Sequence, residues 1–174
     1  SPALVPPDAE LAREHAELAR NLAAAGVDFL LVETMNTVRE VAAATRAAVA
    51  TGLPAVASVV CGPDGNLLSG EGISEVVEAL APLGPAALLV NCAPAPDLER
   101  PLAALRAETN LPVGGYGNVG HADDQHGWVN TDAVDPSAYA RYAGEWLQLG
   151  ATLVGGCCGT TPLHTRALRR LLDG

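Results

Sequence analysis

Apolar positions along the chain alternate between two periods. From Asp8 to Ala25, Leu11, His15, Leu18 and Leu22 recur at a helical spacing, with Asp8 placed to cap the start and Gly26 to end it. The run Val27–Glu33 (VDFLLVE) then reads as a buried strand. The same alternation continues with a helix over Val38–Ala50, a strand over Pro54–Val60, a helix over Ile73–Leu83, a strand over Ala86–Asn91 and a helix over Asp97–Glu108. A strand over Pro112–Tyr116, a helix over Pro136–Leu149, a strand over Ala151–Val154 and a last helix over Pro162–Leu172 complete it. Two longer connections interrupt the pattern. CGPDGNLLSGEG follows the second strand and is rich in turn residues, and GNVGHADDQHGWVNTDAVD follows the fourth. The second reads as a solvated, flexible loop, in preference to a second metal site built on His121 and His126.

Strands separated throughout by helices predict a parallel α/β sheet with right-handed crossovers. Two architectures take that pattern: an open doubly wound sheet, for which five strands suffice, and part of a (β/α)8 TIM barrel, which needs about 250 residues for its eight units. At 174 residues, length alone favours the open sheet. No linker or low-complexity segment divides the chain, so a single domain over residues 1–174 is expected.

Composition narrows the function classes. Hydrophobic residues make up 49% and aromatics only 3%, which calls for a core of small aliphatic side chains between closely packed elements. Acidic residues outnumber basic ones by 20 to 10, for a net charge of -10, and such a surface repels phosphate backbones and anionic lipid. Neither a nucleic acid nor a membrane partner is expected. No apolar run approaches the roughly 20 residues that span a bilayer, and the opening SPALVPPDAE lacks the basic start and apolar centre of a secretory signal. A cytoplasmic setting follows as the expectation. The four cysteines would be reduced there, which turns attention from disulfides to metal binding or catalysis.

Chemistry in either architecture collects at the carboxyl ends of the strands. Those ends carry Glu33-Thr34, Cys61, Asn91-Cys92, Tyr116-Gly117-Asn118 and Cys157-Cys158, so every cysteine falls on one rim. Thiolates suit zinc, and three protein ligands with one exchangeable position form a catalytic rather than a structural site. Cys92, Cys157 and Cys158 fit that count. Neighbouring cysteines on a regular strand point to opposite faces, so both reach one ion only if the backbone leaves strand geometry, which Gly155, Gly156 and Gly159 permit. Buried structural thiols and a redox pair remain as competing readings, and Cys61 reads as a loop thiol rather than a fourth ligand.

The segment GGCCGTTPLH, with GATLV before it, resembles the closing signature of the zinc-dependent homocysteine S-methyltransferase family. FLLVET, SVVCGPDGNLLSGEG, LLVNCAP and PVGGYGNVG resemble further segments of that family in the same order. The resemblance implies five of the eight units of a (β/α)8 barrel, with the first three strand-helix units lacking, and so overrides the argument from length. A lone arc would leave two edges unpaired, and completion by a homo-oligomer or a partner chain is expected. It further implies that Cys92, Cys157 and Cys158 hold Zn2+, that homocysteine adds its sulfur as fourth ligand, and that Glu33 and Thr34 lie against the substrate, Glu33 at its amino group. Asn118 resembles a residue that approaches the metal when substrate is absent, and His164 belongs to the signature without being a ligand. The implied reaction is methyl transfer to homocysteine from a second substrate: a sulfonium, a betaine, or a methylated cobalamin or folate. A non-catalytic zinc-binding or assembly role is the alternative.

Overall fold

The structure is a computed structural model that describes every residue from Ser1 to Gly174. Five strands, β1 (Leu30–Met35), β2 (Ala55–Val59), β3 (Ala87–Pro94), β4 (Val113–Asn118) and β7 (Leu153–Gly156), form one parallel sheet in strict sequence order. Helices α1 (Asp8–Ala24), α2 (Val38–Val49), α3 (Ile73–Leu80), α4 (Glu99–Glu108), α5 (Pro136–Gln148) and α6 (Pro162–Asp173) alternate with them, each packing on the next. A doubly wound sheet reverses its strand order at a switch point and carries helices on both faces. Neither occurs here. The winding is that of a barrel arc, open at the outer edges of β1 and β7, so the open-sheet alternative describes the edges of the arc and not its topology.

One hydrophobic cluster lies between the sheet and its helices. Val32, Ala57, Leu88 and Val113 stand in register on the helix-facing side, with Val59 and Val90 one tier above, and all are buried. Leu102, Leu105, Tyr139 and Trp146 fill the layer above them, the two rings meeting edge to face at 5.8 Å. The opposite, concave face carries Leu31, Ser58, Leu89, Asn91, Tyr116 and Asn118, as strand alternation requires. Leu31 and Leu153, on the two edge strands, are each 41% exposed. No helix is long and apolar enough to cross a membrane.

Several boundaries move from those the sequence predicts. The strand expected from Val27 begins only at Leu30, where its N–H reaches the Pro54 carbonyl; Phe29 before it is exposed. Asp8 is the first residue inside α1 rather than its cap, and its carboxylate accepts from Arg39. The last strand is displaced two residues, so that Gly155 and Gly156 lie within β7. The expected flexible loop after β4 is instead a hairpin, β5 (Gly120–Asp123) with β6 (Gly127–Asn130), whose tip turns through Gly127 at φ 72°. The Asp123 carboxylate accepts the N–H groups of Gln125 and His126 and pairs with the His126 ring, so these residues are spent on the turn.

The β4–β7 pairing depends on glycine. A Cβ at Gly114 would fall on the Leu153 carbonyl oxygen, and one at Gly117 would come within 2.8 Å of Ala95 Cα. Gly114→Ala is therefore expected to destabilise the fold by about 1–3 kcal/mol. The check is a lowered midpoint in urea unfolding, with an unchanged slope.

Candidate metal and thiol site

Sulfurs from two parts of the chain meet at the carboxyl rim of the sheet. Cys158 Sγ lies 3.9 Å from Cys92 Sγ and 3.9 Å from Cys157 Sγ, and all three atoms are within 4.8 Å of one another. A disulfide needs about 2.05 Å between sulfurs, so these are separate thiols. Around a tetrahedral zinc with bonds of about 2.3 Å, two sulfurs stand about 3.8 Å apart. Two of the three separations match that edge, and the third is within 4.8 Å. The donor set fits electrostatically as well. Burial and the neighbouring Cys92 and Cys158 sulfurs push the Cys157 thiol up to about 12, and burial followed by the charge of Cys158 raises Cys92. Three thiolates this close need a compensating cation.

Local backbone explains how the sulfurs converge. β3 breaks register between Asn91 and Pro94, and Cys92 within that bulge has φ 60°, a left-handed conformation that costs a side-chain-bearing residue ~1–3 kcal/mol. β1 does the same between Val32 and Met35, with Thr34 at φ 61°. Two buried amides hold these residues. Asn91 accepts from the Thr34 N–H at 3.2 Å and the Ser58 hydroxyl at 2.7 Å while donating to the Thr34 hydroxyl at 2.7 Å. Asn118 donates to the Cys92 carbonyl at 2.8 Å and accepts from the Cys158 N–H at 3.0 Å. Its nitrogen is 3.9 Å from Cys92 Sγ, so Asn118 sits beside the sulfurs with both ends of its amide engaged by the cysteine loops.

The adjacent pair converges by a different route from the one expected of its glycines. Gly155 and Gly156 keep strand geometry, and their missing side chains make room for neighbours: a Cβ at Gly155 would crowd the Tyr116 side chain at 3.3 Å and one at Gly156 would come within 2.6 Å of the Thr160 hydroxyl. The chain leaves the strand only at the turn Cys157–Thr160, where the Thr160 N–H and hydroxyl both return to the Cys157 carbonyl and Gly159 takes φ 78°. The buried Tyr139 hydroxyl, 2.9 Å from the Gly117 N–H and within reach of the Gly117 and Gly155 carbonyls, steadies β4 and β7 beneath the turn.

The remaining residues singled out from the sequence separate cleanly. Glu33 is at the same rim on the concave face, exposed, with Oε2 3.3 Å from the Tyr116 hydroxyl; Thr34 turns its hydroxyl to Asn91. Cys61 lies in the loop after β2 and apart from the sulfur trio, but it is buried there, 4% exposed in the core cluster, and burial, with Asp64 as a lesser cause, pushes it up to about 12. His164 is buried in the first turn of α6, accepting from the Thr161 N–H and facing the Ala133 carbonyl. Ser58 and Tyr139 are not distinguished by the sequence patterns, and Tyr116 only as a residue at the end of the fourth strand, with no role attached. Only their place on strands that end at the rim, or on the helix behind it, could have marked them.

This geometry defines a class: a barrel-type α/β protein with three thiols gathered at the carboxyl ends of its strands, a group that could hold a metal ion. The match to the homocysteine S-methyltransferase family model spans residues 3–172, and the chain belongs to that family. It is 31% identical over 112 residues to homocysteine S-methyltransferase 1 of Zea mays, covering 63% of this chain and 35% of that one. With methionine synthase of Mycobacterium tuberculosis it shares 31% identity over 159 residues, which is 87% of this chain and 13% of the relative. The homocysteine methyltransferase MmuM of Escherichia coli superposes with a TM-score of 0.79 in both its apo and metallated forms at 27% identity; the apo form covers 97% of this chain and 59% of that one. The chain thus spans about a third of the length of the curated plant relatives it matches.

Removing the Asn118 amide leaves the Cys92 carbonyl and Cys158 N–H unpaired and frees the sulfurs to spread. Asn118→Ala is expected to weaken zinc binding about 10- to 100-fold, the usual loss for a residue that orients ligands. Competition with a chromogenic chelator measures it.

Proposed function

We propose that this chain is the thiol-binding and metal-binding part of a zinc-dependent enzyme that transfers a methyl group to homocysteine, giving methionine. The observation that carries the reading is the sulfur trio, spaced as a tetrahedral metal requires and open to solvent on the side of Cys158. Membership of the family supports homocysteine as the acceptor. Cys92, Cys157 and Cys158 would hold the ion. When bound, zinc supplies the positive charge that lets a thiol, ordinarily protonated at neutral pH, present itself as a thiolate.

The protein's own residues do the rest by placement. The Cys157–Thr160 turn and the Asn118 amide fix the sulfurs, and the rim leaves a fourth direction open beside Cys158. Glu33, a carboxylate on the same face, is suited to the substrate's amino group, with Thr34 fixing the backbone next to it. Asn118 borders the place where the substrate sulfur would arrive. The acceptor's sulfur lone pair forms the new S–C bond as the donor's bond to its methyl carbon breaks, and that electron pair leaves with the donor. The thiol proton departs to solvent before the transfer.

A reducing compartment, the cytoplasm, suits three free thiols. The open edges at β1 and β7, with Leu31 and Leu153 exposed on the concave side, call for further strands, and we assign them to a second copy or a partner chain. A solution mass of two chains or more is expected by light scattering; a stable monomer at micromolar concentration contradicts this assignment.

The purified protein, with one zinc per chain by elemental analysis, is expected to form methionine from homocysteine and at least one donor among S-methylmethionine, betaine, methylcobalamin and a methylated folate. Cys92→Ser, Cys157→Ser and Cys158→Ser should each lower zinc content and abolish product. Full zinc occupancy with no product from any donor would favour a binding role without catalysis.

A further inference from the structure

On the concave face one side chain lies between the thiols and Glu33 without belonging to either. Tyr116 stands opposite Gly155 in the β4–β7 register, and the bare Gly155 backbone lets the side chain settle there, two residues before Cys157. Its hydroxyl ends 3.3 Å from Glu33 Oε2, on a strand three positions away in the sheet. The curvature of the arc makes this reach possible, because on a flat sheet strands three apart are separated by about 14 Å. Burial, with the Glu33 carboxylate as a further cause, raises the phenol above its ordinary range, so the hydroxyl keeps its proton and donates to Glu33. The ring thereby spans the space between the sulfur trio and the carboxylate.

We propose that Tyr116 is a positioning and specificity-determining residue: it fixes the Glu33 carboxylate at a set distance from the sulfurs and so selects thiols that carry an amino group at the reach of homocysteine. This rests on the reading of the site as a homocysteine site. Cysteine, shorter by one methylene, carries its amine closer to its sulfur and is expected to bind more weakly than homocysteine. A thiol without an amino group gains nothing from the fixed carboxylate. In Tyr116→Phe the ring and its packing remain, and the hydroxyl's contacts with Glu33 and Ser58 are lost.

The test is calorimetric titration of the zinc-loaded protein with homocysteine and with 4-mercaptobutanoate, which is homocysteine without its amino group. Wild type is expected to bind homocysteine more tightly. Tyr116→Phe should weaken homocysteine about 10-fold, the usual loss of a hydrogen bond to a charged group, while leaving 4-mercaptobutanoate and the zinc content unchanged. Glu33→Gln should remove the same preference, and adding Tyr116→Phe to it should change nothing further. Equal weakening of both thiols in Tyr116→Phe, or no change in either, overturns the assignment to Tyr116 while leaving the homocysteine site standing. Wild-type protein that binds neither thiol overturns the homocysteine reading itself, and this inference with it.

Discussion

The rim of this sheet is held by two buried carboxamides. Asn91 ties three strands together through Thr34 and Ser58, and Asn118 ties the bulge at Cys92 to the turn at Cys158. Each holds, or adjoins, a residue in a left-handed conformation that a side chain normally avoids. That strain costs ~1–3 kcal/mol per residue, and a hydrogen bond to a buried amide returns about 1 kcal/mol. The two effects are of comparable size. The bulges therefore persist because the amides over-determine them, and it is the bulge in β3 that takes Cys92 out of the strand's alternation.

Electrostatics adds a second constraint, which works against the first. Half-burial beside neighbouring sulfurs raises the proton affinity of Cys92 and Cys157, so the geometry that suits a metal favours the protonated form of these two thiols in its absence. The chain thus holds a set of donors organised in advance, whose ionisation waits on a cation. Cys61 shows the contrast: equally raised, but by burial in an apolar core with no second sulfur near it, it has no means of being drawn into that set.

Much of this was legible in the sequence because the deciding signals are local. The alternation of periods located every strand of the sheet and every helix, and the placement of cysteines at strand ends assembled the sulfur trio before any coordinates. What stayed hidden depends on contacts between distant residues. The β5–β6 hairpin is composed of residues that usually mark irregular loops, and its register comes from pairing Gly120 with Asn130 rather than from a hydrophobic alternation. The roles of Gly155 and Gly156 were misjudged because a glycine spared for a neighbour's side chain looks, in sequence, like a glycine spared for a turn. Tyr116 is marked only by its place at a strand end; its pairing with Glu33, 83 residues away, leaves no local signal.

The concave face shows what the barrel arc contributes beyond positioning. Going up from the amino ends of the strands, it passes from Leu31 to the level of Ser58, Leu89 and Leu153, then to Asn91 and Tyr116, and then to Asn118 and the sulfurs. The polar residues therefore stand nearer the rim, above an apolar level whose edge residues Leu31 and Leu153 remain exposed. Asn91 and Tyr116 lie in register on neighbouring strands, so their spacing is set by the ladder, about 4.8 Å per strand, and not by loop conformation. Cys92 belongs to the bulge of β3 and only Cys157 and Cys158 to a turn, so the sulfurs are gathered by a strand and a loop together, while Glu33 and Tyr116 are carried by strands alone.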